Sequence, residues 1–410
     1  MTATTPTALS RLSAPVFDAL GRLTADPAAF RAAPPAEPVV FRCAEGFADL
    51  FGWAALDSVL ADGGRRVPEF RVIRDGAQIA EQRYTRATLM RTDAPDVRKT
   101  AGELAEGASL VMQGLQEYSE PIARFTRALA HDMARPVHVN AYVTPPKSQG
   151  FADHFDPRDA FIVQVAGTKR WTLREPVLRR PLAHESWDRL RERGEWDTAR
   201  LEALEPWREV LLEPGDVLWL PGGWVHSARS EGVSSLHLTL SLTAWTEHWA
   251  VGQLLSRIVD VPGRTALPAD FVRDPRTAAE AVAALRRGLA DWFEESSDDE
   301  IASFLRTAAI REFPAPPRQV SAVLSDDALP EGTVFTVHRD AVLGAERDGE
   351  RLLLRLADRV LALPVTAAPA LEALLCRERF TLGEPTADGG SAVSEDVVRL
   401  LWREGLVSRA

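Results

Sequence analysis

Cysteine is nearly absent from this sequence: Cys43 and Cys376 are the only two, and they lie far apart. They give no disulfide framework and no Cys-x-x-Cys motif, so a reducing, cytoplasmic compartment is expected. No apolar run is long enough to span a membrane, and Met1 to Arg11 lacks the apolar core of a secretory signal. Lysine is scarce too. Lys99, Lys147 and Lys169 are the only lysines among 48 basic residues, which face 59 acidic ones. The net charge of −11 argues against nucleic acid as a direct partner and permits a basic protein or peptide. What is present, 45% hydrophobic and 26% charged residues, is the composition of a globular protein, and a chain of 410 residues predicts about two to three domains.

The chemistry gathers in residues 136–175. In Val137–Val143 the odd positions are Val137, Val139, Ala141 and Val143, and the even ones are His138, Asn140 and Tyr142. A strand sends alternate side chains to opposite faces, so one face is apolar and the other carries imidazole, amide and phenol. His154 and Asp156 are also two apart and point the same way on an extended backbone. With one more His they make the facial triad that holds Fe(II) and leaves positions open. The His-x-Asp pattern recurs at His338-Arg339-Asp340. That copy runs into a charged stretch without polar periodicity and is read as a surface turn with a chance His.

The third metal ligand is sought near His226. Glu213-Pro214-Gly215-Asp216 is a turn signal, Val217–Leu220 a short buried strand, and Gly222-Gly223 just before His226 let the backbone pass close to something bound. Ser235–Leu242 then alternates without a break, with Leu on one face and Ser235, His237, Thr239 and Ser241 on the other. Polar groups facing into a barrel need partners, which a bound polar ligand would supply. Lys169 follows the His-x-Asp beside Arg170 and Trp171, and a compact ammonium suits a small carboxylate in a narrow barrel better than a guanidinium fork.

On these residues, the stretch 136–245 resembles the JmjC-type 2-oxoglutarate oxygenases of the cupin superfamily, and within them the ribosomal-protein hydroxylase branch. The resemblance implies a mainly β fold with helices around a double-stranded β-helix (jelly-roll) core. It implies Fe(II) on His154, Asp156 and His226. It implies 2-oxoglutarate held at its distal carboxylate by residues at the Lys169, Tyr142 and Thr239 positions, with Asn140 and Ser241 lining the same pocket, and O2 as oxidant. The implied reaction is hydroxylation of a side chain, Arg or His, in a ribosomal protein. The stretch between Pro176 and Arg208 is long, charged and carries Trp187, Trp196 and Trp207; it departs from the family and is a candidate lid on the substrate side.

Taken in order, residues 1–38 read as a partly ordered Ala/Pro-rich arm. A helix over 54–61 stops at Gly63-Gly64, a strand over 70–74 closes at Asp75-Gly76, and Pro121–Met133 is a helix. The catalytic domain is placed at 1–244. Three amphipathic helices are expected in 245–313, the third opened by the capping box Ser297…Glu300. The family uses this region for dimerisation, so a homodimer is implied. Beyond the linker at Pro314-Ala315-Pro316-Pro317, short strands and two helices in 314–410 resemble the winged-helix domain that ends family members. Residues 311–410 hold twelve Arg, no Lys and sixteen Asp or Glu, so no basic face offers phosphate contacts, and the domain is read as a structural or protein-contacting module. Two other readings stay open: a tailoring hydroxylase for a peptide natural product, sharing every iron and 2-oxoglutarate residue, and a metal-binding cupin without oxygenase activity. A histone-type demethylase is disfavoured, since no Cys/His-rich reader motif is present.

Overall fold

A computed structural model describes residues 12–410 apart from 44, 63–64, 75, 91, 258–263, 317–318, 325–328 and 385–393. The expected helix stop at Gly63-Gly64 lies outside these, as do Asp75 of the expected hairpin turn and Pro317 of the linker. The fold comprises two compact units, one formed by Ala14–Ala244 and one containing Trp245–Ala410.

The first unit is built on strands β1 (Val39–Arg42), β2 (Phe70–Arg74), β3 (Ala77–Gln78), β4 (Ser109–Met112), β5 (Val137–Thr144), β6 (Asp159–Ala166), β7 (Lys169–Arg174), β8 (Arg208–Leu212), β9 (Asp216–Leu220), β10 (Val225–Ser230) and β11 (Ser235–Leu242). Eight form one sheet in the order β1-β9-β6-β11-β5-β4-β2-β3, and three form a second, β8-β7-β10. All these pairings are antiparallel. The odd positions of β5 are buried as the alternation predicts, from Val137 to Val143. On β11 both faces are covered: Leu236, Leu238, Leu240 and Leu242 are buried, and so are Ser235, His237 and Thr239. That excludes a solvated polar face for this strand. Helices α1 (Trp53–Ala61) and α2 (Glu120–Met133) flank the large sheet in sequence. In α2, Ile122, Phe125, Leu129 and Met133 are buried at helical spacing.

From Ala14 onward, the segment expected as an arm is part of this unit. The Asp132 carboxylate at the end of α2 accepts the backbone N–H groups of Val16, Phe17 and Leu20. These are donors at the open end of the short helix Asp18–Gly21, which a carboxylate satisfies and stabilises. Phe30 is buried edge-on to Trp219 at 4.9 Å and against Phe161 at 5.2 Å, and the Trp219 indole N–H donates to the Pro35 carbonyl. Truncating Phe30 would cost about 3–5 kcal/mol.

After α3 (Trp187–Glu192) and α4 (Thr198–Glu202) of the first unit, α5 (Glu247–Arg257), α6 (Pro275–Glu295) and α7 (Asp298–Ile310) of the second unit occupy the expected positions. Ser297 and Glu300 close the capping box reciprocally. No described residue of these three helices is buried, and Leu255, Val282 and Phe293 are about half exposed. Strands β12 (Val334–Val337), β13 (Gly344–Asp348), β14 (Arg351–Arg355), β15 (Val360–Pro364), β16 (Arg379–Thr381) and β17 (Val407–Arg409) make two three-stranded antiparallel sheets, β16-β12-β17 and β13-β14-β15. Helices α8 (Ala368–Leu375) and α9 (Glu395–Arg403) contribute Leu371, Leu374, Val398, Leu401 and Trp402 to one core. His338 is not on a surface turn. It is buried, with Nε2 2.9 Å from the Ser408 hydroxyl of β17, because its N–H is tied to the Leu406 carbonyl.

Candidate metal and co-substrate site

The two sheets of the first unit face each other across a cavity. Its wall takes Tyr142 and Thr144 from β5, His237 and Thr239 from β11, Ala160 and Ile162 from β6, Lys169 and Trp171 from β7, and His226 and Ala228 from β10. In-register pairing sets this up. Tyr142 lies opposite His237, and Asn140 opposite Thr239, so the polar stripes of β5 and β11 share one face. The stripe is legible as far as Tyr142. Thr144 has the same parity and belongs to it.

At one end His154, Asp156 and His226 each present a ligand atom within 4.8 Å of the others. His154 and His226 exchange both backbone hydrogen bonds, at 3.1 and 2.8 Å, which holds their rings side by side with centroids 4.3 Å apart. The His154 Nδ1 lies 2.8 Å from the Ala152 carbonyl, and the His226 Nδ1 lies 3.0 Å from the Trp224 carbonyl. A carbonyl can only accept, so each Nδ1 carries the proton and each Nε2 keeps its lone pair for a cation. Burial, then the neighbouring His154, push the His226 imidazole down to about 4, so it is neutral near pH 7. Asp156 sits at the mouth with its carboxylate 3.9 Å from the His226 Nε2. Two imidazoles and one carboxylate on one side of a pocket suit a divalent transition metal with open positions.

At the other end Lys169 is buried, 4% exposed, with its ammonium 3.0 Å from the Thr144 hydroxyl. Burial pushes its pKa down to about 7, and no described acidic group pairs with it. Burial likewise raises the Tyr142 phenol to about 12, so it remains a donor. His237 stacks on Tyr142 at 4.8 Å with near-parallel planes. Burial, then the charge of Lys169, hold its imidazole well below the usual range. The alternation puts His237 on the polar face without giving it a role. Lys169, Tyr142 and Thr239 therefore share the cavity with the three metal-type ligands. Asn140 and Ser241 stand on the same stripe: the Asn140 Oδ1 accepts the Gly114 N–H while its side chain also reaches the Tyr142 phenol, and Ser241 lies opposite His138.

The glycines before His226 meet protein rather than ligand. Gly223 has φ +91°, and a Cβ there would sit 2.3 Å from the Leu178 carbonyl; one at Gly222 would sit 2.9 Å from that of Pro157. The Gly223 N–H donates to the Asp156 carbonyl at 2.8 Å, so close backbone packing aims the ligand turn. The 176–208 stretch folds over the same turn. Its helices α3 (Trp187–Glu192) and α4 (Thr198–Glu202) enclose Phe155, between the two ligands, with Trp187, Leu190, Leu201 and Val225.

Residues 114–249 match the family model described as the JmjC domain. The match is confined to about a third of the chain. Over 255 residues this chain is 30% identical to ribosomal oxygenase 1 of Bos taurus, a match covering 56% of this chain and 35% of that protein. Against the Drosophila persimilis protein named bifunctional lysine-specific demethylase and histidyl-hydroxylase NO66, it is 43% identical over 106 residues, 26% of this chain and 14% of that one. The chain thus spans about a third or less of the length of these relatives. In fold it is similar to the Escherichia coli ribosomal oxygenase YcfD, solved in complex with cobalt and 2-oxoglutarate. The TM-score is 0.55 at 19% identity, covering 94% of this chain and 98% of that one. The mixed α/β architecture with antiparallel sheets around the cavity accords with this JmjC domain.

Proposed function

We propose that this chain is an Fe(II)- and 2-oxoglutarate-dependent oxygenase that hydroxylates an Arg or His side chain of a ribosomal protein. One observation carries the reading: a group of three metal-type ligands with both Nε2 atoms freed shares a cavity with a buried lysine that has no acidic partner among the described residues. His154, Asp156 and His226 hold the iron. When bound, iron with 2-oxoglutarate and O2 supplies the oxidising power. The Lys169 ammonium binds the distal carboxylate, and Tyr142 and Thr239 donate hydroxyl hydrogen bonds to it. Asn140 acts at one remove by holding the turn at Gly114. Trp171, Phe151, Ile162 and Leu220 make the apolar wall that excludes water.

Several features support the finer assignments. The relatives named ribosomal oxygenase favour a ribosomal substrate, and the net charge of −11 suits a basic one. The half-exposed apolar residues of α5–α7 suit a homodimer contact within 245–313. The acidic 314–410 region, with strands and helices in winged-helix-like number, suits protein rather than nucleic-acid contact, and catalysis belongs to 1–244. No described helix is long and apolar enough to cross a membrane, and we assign the protein to the cytoplasm. Intact masses of ribosomal proteins from wild-type and deletion cells test the reading. One protein should lack a single oxygen in the deletion strain, and the purified enzyme should restore it with iron and 2-oxoglutarate. Loss of a methyl group instead, or no change, would defeat it.

A further inference from the structure

The geometry points to Arg174 and Asp153 as a positioning pair that fixes the separation of the two metal-binding imidazoles. The inference rests on the metal-site reading above and deepens it. Arg174 ends β7, where its backbone pairs with Val225, the neighbour of His226. Its guanidinium Nη2 lies 3.2 Å from the carboxylate of Asp153, the neighbour of His154. Its Nε donates to the Leu204 carbonyl at 2.9 Å, at the end of the 176–208 cap. One side chain therefore joins the His226 strand, the His154 turn and the cap.

The pair is built to be rigid. The two side chains are only 11% and 4% exposed. The contact is single: the remaining Asp153 Oδ1 and Arg174 Nη1 make no hydrogen bond with any described residue. A buried charge left alone is costly, so neither partner leaves the other readily. The residues on either side of Asp153 carry the ligand geometry, since the Ala152 carbonyl holds the His154 Nδ1. A shift at Asp153 therefore moves both the imidazole and the group that orients it. Such supporting contacts are worth about 10–100-fold in metal affinity.

Positioning and simple electrostatics predict different signs. Removing a nearby positive charge by Arg174→Met would tighten cation binding through the field alone, and removing a negative one by Asp153→Asn would weaken it. Positioning predicts weakening in both. Co(II) titrated into the full-length protein, followed by visible absorption well below the melting temperature, reads this without turnover. We expect Co(II) affinity to fall about tenfold in each single variant with a changed absorption envelope. The Asp153→Asn/Arg174→Met double variant should be no worse than the poorer single one, because the two act as a unit. Arg174→Lys, which keeps the charge but cannot reach both Asp153 and Leu204, should recover part of the loss. Asp153→Asn preserves volume and serves alone should Arg174→Met not fold. Opposite signs in the two variants, or wild-type affinity and absorption with only a lower melting temperature, would overturn the pair. A wild-type protein that binds no Co(II) would instead overturn the metal site and the inference with it.

Discussion

Replacing Lys169 by Met should make the ligand-free protein more stable and abolish 2-oxoglutarate binding. Burial carries the ammonium from its ordinary value near 10.5 down to about 7. A displacement of that size corresponds to about 5 kcal/mol of cost for keeping the charged form folded. The hydrogen bond to Thr144 and the approach to the Trp171 ring return about 1–2 kcal/mol of interaction that Met forfeits. Thr144 is not stranded, because its hydroxyl also lies 3.3 Å from that of Ser109. The net gain at pH 6.5 is about 3 kcal/mol. Its pH dependence has a definite sign. The folded-state value lies below the unfolded one, so the penalty is fully present below pH about 7 and disappears as the pH rises toward 10.5. Urea unfolding of wild type and Lys169→Met at pH 6.5, 8 and 9.5 measures the gap, which should shrink at each step. Added 2-oxoglutarate with Co(II) should stabilise only the wild type. A variant less stable than wild type at pH 6.5, or a gap independent of pH, would refute the reasoning.

His154→Ala and His226→Ala should abolish Co(II) binding and 2-oxoglutarate consumption while near-native circular dichroism persists. His338→Ala, which removes the contact to Ser408 from a buried site, should leave turnover intact and lower stability by at least about 1 kcal/mol in urea. Gly223→Ala places a Cβ 2.3 Å from the Leu178 carbonyl at a positive φ, so it should destabilise by more than about 2 kcal/mol and weaken Co(II) binding. Hydroxylation of a basic ribosomal-protein peptide should lose kcat/KM as ionic strength rises, while uncoupled 2-oxoglutarate consumption hardly changes; a salt-independent reaction would count against a basic partner.

What the sequence reveals of this site follows from how local each contact is. The period of two in Val137–Val143 and Ser235–Leu242 is a backbone property, so both polar stripes can be read before the strands are known to be neighbours. His154 and Asp156 are legible for the same reason. His226 is reached only through its surroundings, since nothing in a spacing of 72 residues brings it to His154; an antiparallel bridge does. The glycines before it mark a close approach, but the sequence cannot say to what, and the answer is the Leu178 and Pro157 carbonyls. Asn140 fits the stripe and reaches both the Gly114 N–H and the Tyr142 phenol, a pairing that parity alone does not give. Within the expected arm, the part from Ala14 on is held by groups more than a hundred residues away, the Asp132 carboxylate and the Trp219 indole among them. Arg174 and Asp153 are hidden most completely. Each looks like one more charge in a chain with 107 acidic and basic residues. Only topology, which lays β7 beside β10 and the His154 turn, buries this pair next to His154 and His226.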